Sequence, residues 1–126
     1  DIVENTERGI ADLGGSVERD LATDILTLNG EISVSIVLAR CQTSESGRNR
    51  WKVRFDTGLL PDVTVAVRLD QPNTAPLDYY LLPHIDFSKA RICLAERNPA
   101  ELESYRFDTL DYLYGMAARA KLRRAA

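Results

Sequence analysis

Residues 31–39 read Glu31-Ile32-Ser33-Val34-Ser35-Ile36-Val37-Leu38-Ala39. Ile32, Val34, Ile36 and Leu38 alternate with Ser33, Ser35, Val37 and Ala39, a period of two that predicts a strand with one strongly apolar face. Downstream, Thr43 to Asn49 has the small, polar composition of a hairpin loop. Trp51, Val53 and Phe55 then alternate with Lys52, Arg54 and Asp56, and Val63, Val65, Val67 and Leu69 alternate with Thr64, Ala66, Arg68 and Asp70. A turn over Gly58 to Asp62 joins them, so the three strands read as an antiparallel meander. Strict alternation predicts that Ile32, Val34, Ile36, Trp51, Val53, Phe55, Val63, Val65 and Val67 share one buried face.

The loop Gln71 to Pro76 holds two prolines in six residues. Leu77–Leu82 and Ala90–Ala95 follow as a fourth and fifth strand, whose continuous apolar runs predict burial on both faces. A C-terminal helix begins with Asn98 as cap and Pro99 at its first position, with Glu101 placed to reach back to the cap. Leu102, Tyr105, Leu110, Leu113, Tyr114, Ala117 and Ala120 give it an apolar stripe. Gly115 is expected to permit a close approach to the sheet or to mark a bend. Upstream, Gly14-Gly15 breaks any long helix, Val17–Leu26 reads as a short helix capped by Ser16, and Asn29-Gly30 reads as a turn into the first strand. The expected fold is α+β: a mainly antiparallel sheet of about five strands, a meander plus a hairpin, covered by the C-terminal helix. Residues 1–30 form an acidic N-terminal segment, partly helical or irregular, and residues 31–126 a single α+β domain.

The 126 residues carry a formal net charge of −3, with 44 % hydrophobic and 28 % charged residues, the balance of an ordinary globular chain rather than a disordered one. No run of about 18 apolar residues occurs, so no membrane contact is expected. The opening residues lack the pattern of a secretory signal, and the expected setting is the cytoplasm of a bacterial-type cell. Cys41 and Cys93 are too few for a disulfide framework. Together with His84, the single histidine, they lack paired metal-ligand spacing, so neither a metal nor another cofactor is expected. His84 lies close to Asp86, an arrangement that can orient a general base. The nucleophile it would need, Ser88 or a cysteine, sits in no recognised motif, and no phosphate-binding glycine loop is present. No catalytic residue is assigned.

The segment from Pro61-Asp62 to Asp70 resembles the opening of a PD-(D/E)xK nuclease motif: a turn, an acid, then a strand with an acid at its far end. The resemblance implies carboxylates around a divalent metal and a lysine that orients the attacking water. Arg68-Leu69-Asp70 stands where the acid-x-Lys belongs, and no Asp-x-Lys or Glu-x-Lys occurs in the chain. Turn chemistry accounts for Pro61-Asp62.

The local charge anomaly is basic. Arg48, Arg50, Lys52 and Arg54 fall within seven residues without an acid among them. Parity puts Arg50, Lys52 and Arg54 on one strand face, with Arg68 joining from the next strand and Ser33 and Ser35 flanking. The leading reading is therefore a non-catalytic binding or assembly domain, of a protein that can be longer than this chain, whose basic face contacts nucleic acid. The acidic N-terminal segment is expected to compete by folding over that patch. One alternative is a divergent small metal-dependent nuclease around Asp62 and Asp70, or a hydrolase around His84 and Asp86. Another is an oligomerisation module whose C-terminal helix, through Ala117–Ala126 and exposed aromatics such as Tyr112, packs on a second copy or a partner protein.

Overall fold

A computed structural model describes residues 1–55, 61–87 and 91–125. Asp56, Gly58, Ser88 and Ala90, used above in turns and strand ends or as a nucleophile, lie outside the described residues. The chain runs α1 (Ile2–Asp12), β1 (Val17–Arg19), β2 (Leu26–Leu28), β3 (Ile32–Ala39), β4 (Cys41–Thr43), β5 (Asn49–Arg54), β6 (Val63–Leu69) and β7 (Pro76–Pro83). A 3-10 turn (His84–Asp86) follows, then β8 (Arg91–Ala95), α2 (Ala100–Glu103), β9 (Arg106–Phe107) and α3 (Leu113–Ala125). The expected α+β class, mainly antiparallel sheet and C-terminal helix are all present.

The strands form two sheets. The larger has the order β1-β2-β3-β6-β7-β9, and the smaller β4-β5-β8. Every pairing is antiparallel except β3 with β6, which run parallel. The expected meander is thus corrected. The β4–β5 hairpin leaves the large sheet, serves as the crossover, and returns the chain to β6 alongside β3. Asp62 fixes that register: its N–H donates to the Ser33 carbonyl at 2.9 Å, while its carboxylate accepts from the Ser33 N–H at 2.9 Å.

Two apolar clusters fill the space on either side of the large sheet. On one side, Val34, Val63, Val65, Val67 and Leu81 meet Ile10 of α1 and Leu113, Ala117 and Ala120 of α3. On the other, Ala66, Tyr80 and Leu82 meet Trp51, Val53, Phe55 and Leu94. The single buried face expected for Val65 and Trp51 is therefore two faces in different layers. Strand alternation specifies a face but does not say which sheet covers it. β6 and β7 lie between the layers, and Thr64, Ala66 and Asp78 are buried along with the valines.

Three further expectations change. Residues 17–26 are not a helix: Val17 and Arg19 pair with Leu28 and Leu26, and Leu21 at the turn is 90 % exposed. The Asp20 carboxylate accepts the Ala22 N–H at 2.8 Å, and the turn closes at Asp24, whose φ is +60°. The C-terminal helix is interrupted, because Phe107 and Arg106 pair with Tyr79 and Tyr80 along the open edge of β7. Leu102 and Tyr105 pack on the second cluster and Leu110 and Leu113 on the first, so the apparent single stripe serves two layers. Pro99, rather than Asn98, caps α2; Asn98 accepts the Ala95 N–H and donates to Glu103, the acid that takes the place expected for Glu101. β8 is buried on one face only, since Arg91 and Cys93 are exposed. No described helix is long and apolar enough to cross a membrane.

Candidate nucleic-acid interface

β5 is the middle strand of the small sheet, and its inward residues Trp51 and Val53 anchor it to the large one. The Trp51 indole N–H also donates to the Leu69 carbonyl at 2.7 Å, tying the two sheets together. Alternation then sends Arg50, Lys52 and Arg54 outward, successive charges standing about 6–7 Å apart along the strand. Lys52 and Arg54 are exposed and Arg50 is half-buried. The structure adds neighbours on that face: Arg54 lies directly opposite Arg91, Lys52 opposite Cys93, and Arg50 opposite Gln42. The polar–apolar alternation of Arg91-Ile92-Cys93-Leu94 was the available signal for Arg91.

None of Arg50, Lys52, Arg54 and Arg91 forms an ion pair with a described carboxylate. Like charges directly opposite across a sheet repel, so Arg54 and Arg91 concentrate positive potential that no described carboxylate offsets by an ion pair. The acidic N-terminal segment does not cover it. Ile2 and Ile10 of α1 pack in the first cluster, on the far side of the large sheet.

Arg48 and Arg68 have separate places. Arg48 lies exposed in the β4–β5 loop, where its carbonyl accepts the Ser44 N–H at 2.8 Å. Arg68 does not join the basic face. It points between the sheets, donating from Nε to Asp78 at 2.9 Å and from Nη1 to the Ala95 carbonyl at 3.0 Å. Its guanidinium sits 4.6 Å from the Trp51 ring centroid and 5.5 Å from that of Tyr80. Burial works to lower its pKa, but the hydrogen bond and charge of Asp78 outweigh this and hold it above the ordinary value. Ser33 and Ser35 belong to β3 in the large sheet, and Ser33 is occupied with Asp62.

The acids of the expected nuclease or hydrolase do not assemble. Asp62 and Asp70 flank opposite ends of β6, roughly 25 Å apart along an extended strand. Asp62 is buried and paired with Arg124 at 2.8 Å, latching the end of α3. Asp70 caps the following turn, accepting the Thr74 N–H at 2.8 Å, which lowers its pKa. Asp86 turns from His84 to Arg123 and to the Tyr105 hydroxyl, the latter at 2.8 Å, and the Arg123 hydrogen bond leads in lowering its pKa. His84 Nδ1 is buried without a hydrogen-bond partner among the described residues. Cys41 and Cys93 face opposite sides of the small sheet, pairing with consecutive residues Trp51 and Lys52. Ala117 and Ala120, expected at a partner interface, are buried in the chain's own core.

A second polar constellation went unread in the sequence. Glu7 of α1 and Asp24 of the β1–β2 turn face each other across Arg19, which approaches them to 3.7 and 2.9 Å. They line a cleft of about 350 Å³ that also touches Leu26 and Ile36. A divalent metal does not fit this donor set: two carboxylates already share one guanidinium, and among the described residues no group of three metal-ligating side chains forms.

No protein family matches the sequence, and no curated protein does. Among solved structures, the chain is similar to a bacterial homing endonuclease, I-Ssp6803I, with a TM-score of 0.58 and 16 % identity. The match covers 96 % of this chain and 88 % of that one, so the two share a fold across nearly their whole lengths.

Proposed function

We propose that the protein works on nucleic acid, gripping the phosphate backbone on the outer face of its small sheet. The observation that carries this is the facing pair Arg54 and Arg91, extended by Lys52 and Arg50 and left without described carboxylate partners. A polyanion over that face would relieve the repulsion the fold builds in. The absence of aromatic side chains among its described outward residues favours backbone contact over base stacking.

The fold likeness to a homing endonuclease supports the same target and fits a nuclease better than a non-catalytic binding or assembly domain. Fluorescence anisotropy with short duplexes at low and moderate salt tests binding, and a plasmid-nicking assay with added Mg²⁺ or Mn²⁺ tests cleavage. Binding is expected to fall steeply with salt. Absence of binding at low salt would remove the proposal. Metal-dependent nicking would establish the nuclease reading, and binding without nicking would leave the binding function alone.

A further inference from the structure

We infer that the β4–β5 hairpin is a ribbon that enters the major groove of duplex DNA and reads base edges. This inference rests on the nucleic-acid reading above and adds a substrate form and a source of specificity to it.

The hairpin projects beyond the packed layers. Its base is marked by the facing pair Cys41 and Trp51, both buried, whereas every residue from Gln42 to Arg48 is exposed. From the Gln42–Arg50 pair to the tip is about three residue pairs, or roughly 10 Å, against a major groove about 8.5 Å deep. Two strands about 4.8 Å apart, with their side chains, suit its width of about 12 Å. The A-form major groove of duplex RNA is too deep and narrow for such a ribbon, which selects DNA.

The tip is held in one shape before any ligand arrives. Ser44 donates its N–H to the Arg48 carbonyl at 2.8 Å, and Gly47 donates to the Ser44 carbonyl at 2.9 Å. Gly47 has φ +83°, the left-handed position that a three-residue hairpin loop requires. The Ser44 hydroxyl accepts the Arg48 N–H at 3.2 Å. On the other face of the ribbon, the Thr43 hydroxyl donates to Asn49 at 2.7 Å, and Asn49 donates to Glu96 at 2.8 Å, bracing the hairpin against β8's end. Little ordering cost remains for binding.

Its chemistry is that of base readout. Gln42 and Arg50 stand side by side on one face, and Arg48 sits at the tip. Glutamine pairs with adenine and arginine with guanine through two hydrogen bonds each. Glu45, also at the tip, would be repelled by a phosphate but can accept from the cytosine amino group. Lys52, Arg54 and Arg91, farther back on the same face, are left for the flanking phosphates.

Selection from a randomised duplex DNA pool, followed by sequencing, tests the inference. The wild-type chain is expected to enrich a short motif. Gln42→Ala and Arg48→Ala should each lose that preference by about tenfold at one or two positions, with a smaller loss on unselected duplex. Lys52→Ala should weaken binding to every sequence alike. Binding without an enriched motif, an unchanged motif in the hairpin variants, or stronger binding to single strands would overturn the inference while leaving the nucleic-acid reading standing. Failure to bind any duplex at low salt would overturn both.

Discussion

Arg68 and Asp78 lie directly opposite each other on β6 and β7 and are joined by two hydrogen bonds, 2.9 Å from Nε and 2.6 Å from Nη2. Their side chains are 11 % and 4 % exposed, so this is a fork-to-fork ion pair held between two sheets. The guanidinium closes the network upward, toward the Ala95 carbonyl of the small sheet and the Trp51 ring.

Removing one partner leaves the other charged and buried. Arg68→Ala is expected to destabilise the fold by about 3–5 kcal/mol, read from urea unfolding. Arg68→Lys should recover only part of this, because an ammonium cannot reproduce the planar fork. The double variant Arg68→Met with Asp78→Leu should lie much closer to wild type than either single change, since it leaves no buried charge behind and Arg106, also 3.6 Å from Asp78, keeps Glu103 and Asp108 as partners. Equal losses in single and double variants would count against this account.

The Asp86–Arg123 pair predicts a pH dependence. The Arg123 hydrogen bond lowers the Asp86 pKa, burial opposes it, and the Tyr105 hydroxyl adds to the lowering. A carboxylate whose folded pKa is depressed contributes stability above its unfolded value, near 3.9, and loses it as pH falls through the folded value. Asp86→Asn should therefore lower Tm at neutral pH, with the difference shrinking as pH falls below the ordinary aspartate value near 3.9. Glu103, lowered by hydrogen bonds from Asn98 and Arg106, should behave in the same sense. A constant Tm difference at all pH values would show that the pair does not act through charge.

Much of this was legible in the sequence, and the misses share a cause. Period-two alternation correctly marked residues 32–39, 51–54 and 63–69 as strands, and Asn29-Gly30 correctly marked a turn, with φ of +54° and +69°. What alternation cannot state is which strand lies beside which. The parallel pairing of Val34 with Val63 depends on Asp62 reaching back 29 residues to Ser33, a contact with no local signature. The same limit displaced Arg68, which parity put on an outward face but which a second sheet covers. Around Leu102–Ala120, helical spacing was real, yet the open edge of β7 captured Arg106 and Phe107 between its two halves. The basic residues of β5 are readable because their strand and parity are; Arg91 is obscured because the apolar run that follows it reads as a strand buried on both faces.

Gly115 offers a test of helix propensity free of packing. The close approach expected there is not found: an added Cβ would meet nothing within 4 Å, and the residue is exposed near the start of α3. Its backbone is helical, so Gly115→Ala should stabilise the protein by about 0.5–1 kcal/mol, seen as a raised Tm. A loss of stability would indicate that this glycine accommodates something beyond its own helix.

The facing arginines of the small sheet predict a trade between stability and binding. Arg54 and Arg91 occupy partnered positions on β5 and β8, with Lys52 two pairs away on the same face, so each folded molecule carries a cross-strand repulsion. That term should be about 0.2–1 kcal/mol and is screened by salt. Arg91→Ala is therefore expected to raise Tm slightly in low salt without ligand, and added salt should bring the wild type towards the variant. With duplex present the order should reverse, because bound phosphates stabilise the wild type through the charge the variant lacks. In anisotropy titrations, Arg91→Ala should also flatten the dependence of log K on log salt by about one phosphate's worth, a slope change near 0.9. A variant that melts lower than wild type in ligand-free low salt, yet binds duplex with an unchanged slope, would show that Arg91 serves the small sheet alone.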